Sequence, residues 1–252
     1  MGLLITLSLF LSSCSFTQSN EAPVVDLRNQ QELARGYHVV MPGETLYFIA
    51  WRFGMDYQEL AKRNDLAAPY TVRVGEKIYL KHEVRSAKTK AQAKKIPHSV
   101  PPRSKSKVKN VTQQHPEIHP TQTTSSATVA HTFGSIKHWL RPAKGPIIQN
   151  YSALNKGINI AGREGEAVRA TAGGEVVYAG DGLRAYGNLI LIKHNDLYIS
   201  AYAHNEQLLV KEGQFVKAGQ EIATMGSTGT NRIMLHFELR KRGKPVNPTK
   251  YF

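Results

Sequence analysis

Apolar positions change period along this chain. Between Tyr37 and Val40 they alternate as in a short strand, and Pro42-Gly43 marks a turn. Leu46, Ile49, Ala50 and Phe53 then fall at helical spacing, with Thr45 placed to cap the helix and Gly54 to end it. Asp56 is placed to cap a second helix that carries Leu60 and Ala61 and closes at Asn64; Val74 to Leu80 ends in a second strand. The predicted order over residues 37–81 is strand, helix, helix, strand, a small α+β unit. Beyond Trp139 the pattern differs. Glu175–Ala179, Leu189–Ile192, Leu197–Tyr202 and Glu221–Met225 are short apolar runs bounded by Gly, Asn and Asp, which predicts a mostly-β domain of packed antiparallel sheets. No long helical pattern interrupts it.

The remaining segments lack apolar periodicity. Residues 14–36 read as a polar tether and 82–136 as a disordered linker, with an r.m.s. span of ~40 Å for a flexible chain of that length. The 252-residue chain carries a formal net charge of +14. Its basic residues gather between Lys81 and Lys109, opposed only by Glu83. No aromatic residue lies among them and no nucleic-acid motif is present, so the charge reads as a solvated spacer or as attraction to acidic surfaces, not as a nucleic-acid site.

The first residues bear on compartment. Gly2 to Phe10 is apolar but too short to span a bilayer, so residues 1–13 are expected to be a signal peptide, although no Lys or Arg precedes the run. Leu11-Ser12-Ser13-Cys14 resembles a bacterial lipobox, which implies lipidation of Cys14, the one cysteine in the chain. Ser15 in place of Asp implies, by the same resemblance, delivery to the outer membrane facing the periplasm. A multiply acylated cysteine is a stable anchor, at ~0.8 kcal/mol per buried methylene.

Residues 37–81 resemble a LysM domain in Tyr37-x-Val39, Gly43-Glu44-Thr45-Leu46, Ile49-Ala50, Leu60, Asn64, Leu66, Val74-Gly75 and Ile78-x-Leu80. The resemblance implies binding of N-acetylglucosamine-containing peptidoglycan glycan in a groove walled by Gly43, Glu44, Thr45, Leu46 and by Asn64, Asp65, Leu66, Ala67. Thr45 and Asn64 have an equally good reading as helix caps.

Residues 137–252 resemble the lysostaphin/LytM-type zinc endopeptidases in Asn155–Gly162, Tyr202-Ala203-His204 and Met234-Leu235-His236. In that family these segments read His-x-x-x-Asp, Tyr-Ala-His and His-x-His, and supply three zinc ligands and two catalytic histidines. Here Asn155 and Asn159 stand at two ligand positions and Met234 at a catalytic one; His204 and His236 remain. A catalytic zinc needs about three protein ligands, and a neutral amide is a poor one. Without the metal there is no Lewis acid and no activated water. No spacing recruits His194 or Glu238 instead. The expectation is a non-enzymatic domain with no metal and no cofactor, with the two histidines serving either the fold or a partner.

Lipobox, LysM domain, linker and altered LytM domain together resemble the NlpD-type lipoproteins, over nearly the whole chain and specifically in Tyr186–Ile190, Ala201–Asn205, Lys217–Gln220 and Met225–Gly229. That likeness implies activation of a periplasmic N-acetylmuramoyl-L-alanine amidase for septal wall splitting. It makes the vacated cleft the expected docking surface, with Asn155, Asn159, His204, Met234 and His236 as floor and Tyr151 and Arg184 as rim. Two readings compete with it: an endopeptidase with an unusual centre, and a wall-binding tether without a regulatory partner.

Overall fold

The computed structural model describes residues 27–81, 136 and 138–252. Signal segment 1–13, Cys14 and nearly all of the linker 82–136 lie outside the described residues. The chain opens with α1 (Leu27–Arg35), then β1 (Tyr37–Val39), α2 (Leu46–Phe53), α3 (Tyr57–Arg63) and β2 (Lys77–Tyr79). β1 and β2 pair antiparallel with Tyr37 opposite Tyr79, giving the strand–helix–helix–strand unit that the period changes predict. Thr45 caps α2 by accepting from the Phe48 amide at 3.1 Å, and Asp56 caps α3 from the Gln58 amide at 2.8 Å. Asn64 ends α3 and also fastens it to β2: its amide donates to the carbonyls of Leu60 and Tyr79, and its oxygen accepts from the Tyr79 amide.

One expectation is corrected here. Residues 27–35, expected within a polar tether, form α1. Its polar side chains find buried partners: Asn29 accepts from Arg52 at 2.6 Å, and Glu32 meets His38 at 2.7 Å. A helix held by polar contacts leaves no apolar period to read.

The C-terminal region is one ten-stranded antiparallel network with a short closing 3-10 turn, Pro248–Lys250. It contains β3 (Ile147–Gln149), β4 (Ile158–Ala161), β5 (Ala167–Arg169), β6 (Gly174–Gly180), β7 (Asn188–Lys193), β8 (Tyr198–Leu208), β9 (Phe215–Val216), β10 (Glu221–Met225), β11 (Met234–Lys241) and β12 (Lys244–Val246). The main path runs β3-β4-β11-β8-β7-β6-β9; β12 pairs with β11, and β10 joins β5 to β8. Side chains alternate across a strand. Ile158, Ile160, Ile190, Ile192, Tyr202, Leu235, Phe237 and Leu239 point to one face and build one apolar core.

The opposite face is not left to water. A second core joins Phe48, Ile49, Trp51, Leu60 and Ile78 of the N-terminal unit to Val177, Tyr178, Leu189, Leu191, Ala201 and Ala203 of the sheet. The two units therefore pack as neighbours. Helix α2 is apolar almost all round: Leu46, Ile49 and Ala50 make the expected stripe, while Phe48, outside that stripe, stacks on Tyr178 with ring centroids 4.3 Å apart. A helix with two apolar faces needs two surfaces to cover them.

Candidate functional site

The sheet face that meets α2 also carries the cleft residues. Asn159 on β4 lies opposite His236 on β11, and His236 lies opposite Ala203 on β8. The Asn159 side-chain oxygen is 2.6 Å from His236 Nδ1, and its amide donates to Gln149 at 2.5 Å. On its other side His236 Nε2 is 3.2 Å from Glu238 Oε1. Both ring nitrogens thus face acceptor oxygens.

Glu238 is fully buried and has no free lone-pair direction toward the cleft. Tyr186 donates to Oε1 at 2.6 Å, while Arg240 Nε and Nη2 donate to Oε2 at 2.9 and 2.7 Å. Burial alone would push this carboxyl up, but Arg240, then His236 and Tyr186, outweigh it and hold it at about 2. The same burial, with the Glu238 charge, pushes the Tyr186 phenol up. Tyr186 also meets the His236 ring edge-on at 5.8 Å. Its loop reaches this position because Gly187 has φ +56° and no side chain: a Cβ there would sit 2.2 Å from the Thr228 carbonyl oxygen.

His204 sits at the end of the cleft with φ +65°, a conformation that costs a non-glycine residue about 1–3 kcal/mol. Its amide donates to the Tyr186 carbonyl and its Nδ1 is 2.8 Å from the Thr228 carbonyl, so the loop pair fixes it. Burial lowers its ring to about 4, the Thr228 contact opposing and His236 adding to the shift. The His204 and His236 rings lie 6.0 Å apart. Met234 completes the row on β11.

Not every sequence-predicted residue converges here. Asn155 stays in the β3–β4 loop, where its amide donates to the carbonyls of Gly157 at 2.8 Å and Asn150 at 3.3 Å. The Tyr151 hydroxyl donates to the Pro245 carbonyl, and its ring packs against the opposite core, so it forms no rim. The Arg184 side chain is exposed in the Tyr186 loop. His194 is a core residue between the Gly173 carbonyl and the Ser200 hydroxyl. Sequence reasoning missed Tyr186 and Arg240 as site residues and found no role for Glu238. Among the described residues, no group of three or more His, Cys, Asp or Glu side chains is placed to hold a metal ion.

Of the expected glycan groove, Gly43, Asp65 and Ala67 are exposed, and Leu66 is half-buried. Leu46 belongs to the core. Glu44 turns inward to His38 at 2.5 Å and to the Met41 amide at 2.8 Å. Thr45 accepts from its own helix and donates across to the Val177 carbonyl at 2.9 Å.

The profile of peptidase family M23 matches residues 153–248, and that of the LysM domain matches residues 38–81. A lipoprotein NlpD/LppB homolog of Pseudomonas aeruginosa is 42% identical over 259 residues, covering 96% of this chain and 87% of that one. The chain belongs to the NlpD/LppB lipoprotein family. Within it, murein hydrolase activator NlpD of Escherichia coli is 42% identical over 253 residues, 85% of this chain and 67% of that one. Outer membrane antigenic lipoprotein B of Histophilus somni is 43% identical over 216 residues, 82% of this chain and 64% of that one. These matches bear out the LysM and LytM/M23 resemblances, and they fit the fold: a small α+β unit followed by a mostly-β domain.

Proposed function

We propose that this NlpD/LppB family member is a non-catalytic activator. A lipidated Cys14 holds it in the outer membrane, the LysM domain binds peptidoglycan glycan strands, and the M23 domain stimulates a periplasmic N-acetylmuramoyl-L-alanine amidase that splits the septal wall. The adopted boundaries are 14–36 for the tether, with α1 at its end, 37–81 for LysM, 82–136 for the linker and 137–252 for the M23 domain. The names of two relatives, a murein hydrolase activator and an outer membrane lipoprotein, support this reading.

One observation carries the non-catalytic part. The donor set at the cleft is bound up with itself. Of the matched ligand positions only His236 carries a ligating side chain, and its nitrogens are engaged by Asn159 and Glu238. Asn155 is turned to backbone carbonyls. These residues do not fit a catalytic zinc, which requires about three ligands and an open position. Charge at the cleft is neutralised internally, and Met234 offers a soft, adaptable surface for a partner's apolar side chain. In LysM, Thr45, Leu46 and Asn64 support the groove's backbone, leaving Gly43, Asp65, Leu66 and Ala67 as the surface that meets glycan.

The test is the purified chain on dye-labelled peptidoglycan, alone and with an amidase, together with metal analysis. The expected result is no stoichiometric zinc, no peptide release alone, and stimulation of the amidase. Met234→Arg should raise the concentration needed for stimulation by roughly thirtyfold, the equivalent of a buried anchor worth about 2 kcal/mol. About one zinc per chain with chelator-sensitive cleavage would establish an endopeptidase instead.

A further inference from the structure

The LysM domain rests on the same sheet face as the cleft. Along β11, Met234, His236, Glu238 and Arg240 share that face, since Leu235, Phe237 and Leu239 enter the other core. Strand register divides the face into rows. Asn159, His236 and Ala203 form the cleft row; Glu238, Ala201, Leu191 and Tyr178 form the next. Helix α2 covers the second row: Phe48 stacks on Tyr178, and Leu191, Ala201 and even Ala203 belong to the apolar cluster that includes Phe48 and Trp51.

Arg240 ties the two rows to the helix. Its Nη1 donates to the Trp51 carbonyl at 2.7 Å, and its guanidinium lies 3.6 Å from the Trp51 ring centroid. Its remaining donors hold Glu238, which faces His236. The cleft floor is buried beside the covered row: Asn159 and His204 are 6% exposed, Met234 and His236 8%, and the contacts of Asn159, His204 and His236 run to Gln149, Tyr186, Thr228 and Glu238 of the M23 domain.

Geometry makes the two uses of this face exclusive. Alternate residues of a strand are about 7 Å apart. A helix with its side chains is about 10 Å wide. A helical element laid along the His236 row would therefore run into the row that α2 occupies. We propose that the LysM domain of this chain is a resident cap on its own M23 sheet, a self-inhibitory contact latched by Arg240 on Trp51, and that the cleft face becomes available to a protein partner when the cap lifts. The regulatory half of this rests on the reading that an amidase docks at the cleft; the cap itself does not.

The experiment uses the full chain with Trp139→Phe, which leaves Trp51 as the single tryptophan. Two variants loosen the cap from opposite sides. Phe48→Asp puts a charge against Tyr178. Gly243→Asn acts from the β11–β12 turn: a Cβ at Gly243 would lie 2.2 Å from the Met55 carbonyl oxygen of the LysM unit, and Asn tolerates the φ of +72°. Melting and far-UV circular dichroism verify folding, and the two-sided design survives failure of either variant. The expected result is a Trp51 shielded from iodide in the parent and exposed in the variants. If the capped form dominates about ten to one, half-maximal amidase stimulation should then need about tenfold less of the open variants. A Trp51 as accessible in the parent as in the variants would overturn the cap. Opening without any change in stimulation would leave the cap standing and overturn its inhibitory role. A parent and open variants that never stimulate an amidase, with Trp51 behaving as expected, would reject the activator reading and the inhibitory role while confirming the cap.

Discussion

Both sides of β11 are buried, and they obey different rules. Leu235, Phe237 and Leu239 face an apolar core. Met234, His236, Glu238 and Arg240 face a seam with polar and charged groups that no water reaches freely. On the first side burial is favourable by itself. On the second each charge persists only because its partners are complete: Glu238 has Tyr186, His236 and both donors of Arg240, and Arg240 has the Trp51 carbonyl and ring as well. The first side stabilises the domain. The second specifies which surfaces meet, because a half-made network costs more than none.

Substitutions on each side should separate these rules. Phe237→Ala on the apolar side should cost about 3–5 kcal/mol through lost burial and cavity formation, read by urea unfolding. Glu238→Leu on the polar side should cost about 3 kcal/mol, near the low end for a broken buried pair because Arg240 keeps Trp51. Adding Arg240→Met should recover most of that loss in the M23 domain, whereas no second substitution on the polar side should rescue Phe237→Ala. A Glu238→Leu, Arg240→Met double variant as unstable as Glu238→Leu would contradict the comparison.

Acidity should expose a third difference. Burial depresses the His194 ring to about 4, partly opposed by the Gly173 carbonyl, from an ordinary value of 6.5. A folded value below the unfolded one means that this group's contribution is complete above pH 6.5. It is lost as pH falls from 6.5 toward 4, at up to about 1.4 kcal/mol per pH unit. His204, also held at about 4, acts in the same direction. In the LysM unit the sign is reversed: burial pulls His38 down, but Glu44 and Glu32 together raise it. Its contribution is complete below 6.5 and declines as pH rises through the elevated folded value. Unfolding followed separately in the two units between pH 4 and 7 should show the M23 domain weakening first on acidification, and His194→Gln should flatten that slope. The smallest effect is expected at Asn155→His, a loss of about 1 kcal/mol from two backbone hydrogen bonds. That variant should still take up no stoichiometric zinc, because Asn159 and His236 remain bound to each other.

Much of the fold was legible because it rests on local rules. Thr45, Asp56 and Asn64 are caps where the spacing put them, and Glu221–Met225 is the strand that its apolar run predicts. The contact between the units was not read, yet α2 carried its signal. The sequence reading used the stripe of Leu46, Ile49, Ala50 and Phe53; Phe48 and Trp51 form a second apolar face that a solvated helix would not bear. At the site the legible part was the set of motif positions. Tyr186 could not be placed, since its approach to His236 depends on a long-range encounter of two loops at Gly187 and Thr228. Glu238 was weighed only as a zinc ligand and Arg240 not at all, because their partners Tyr186 and Trp51 come from distant parts of the chain. Tyr151, just past the end of β3, packs its ring on the opposite core through a long-range contact that no local pattern announces.

The latch between Arg240 and Trp51 joins parts of one covalent chain, and that fixes how it competes. Linked surfaces meet at an effective concentration on the order of millimolar when the link spans them. A free protein at micromolar concentration faces a rival present at roughly a thousandfold excess. Dilution cannot open such a contact, since both halves travel together. Only a ligand that prefers the lifted LysM unit, or a partner that outcompetes it on the sheet, changes the balance. Glycan held at Gly43, Asp65, Leu66 and Ala67, a surface already open in the capped form, anchors the whole chain without lifting the cap, so the partner itself must displace the LysM unit.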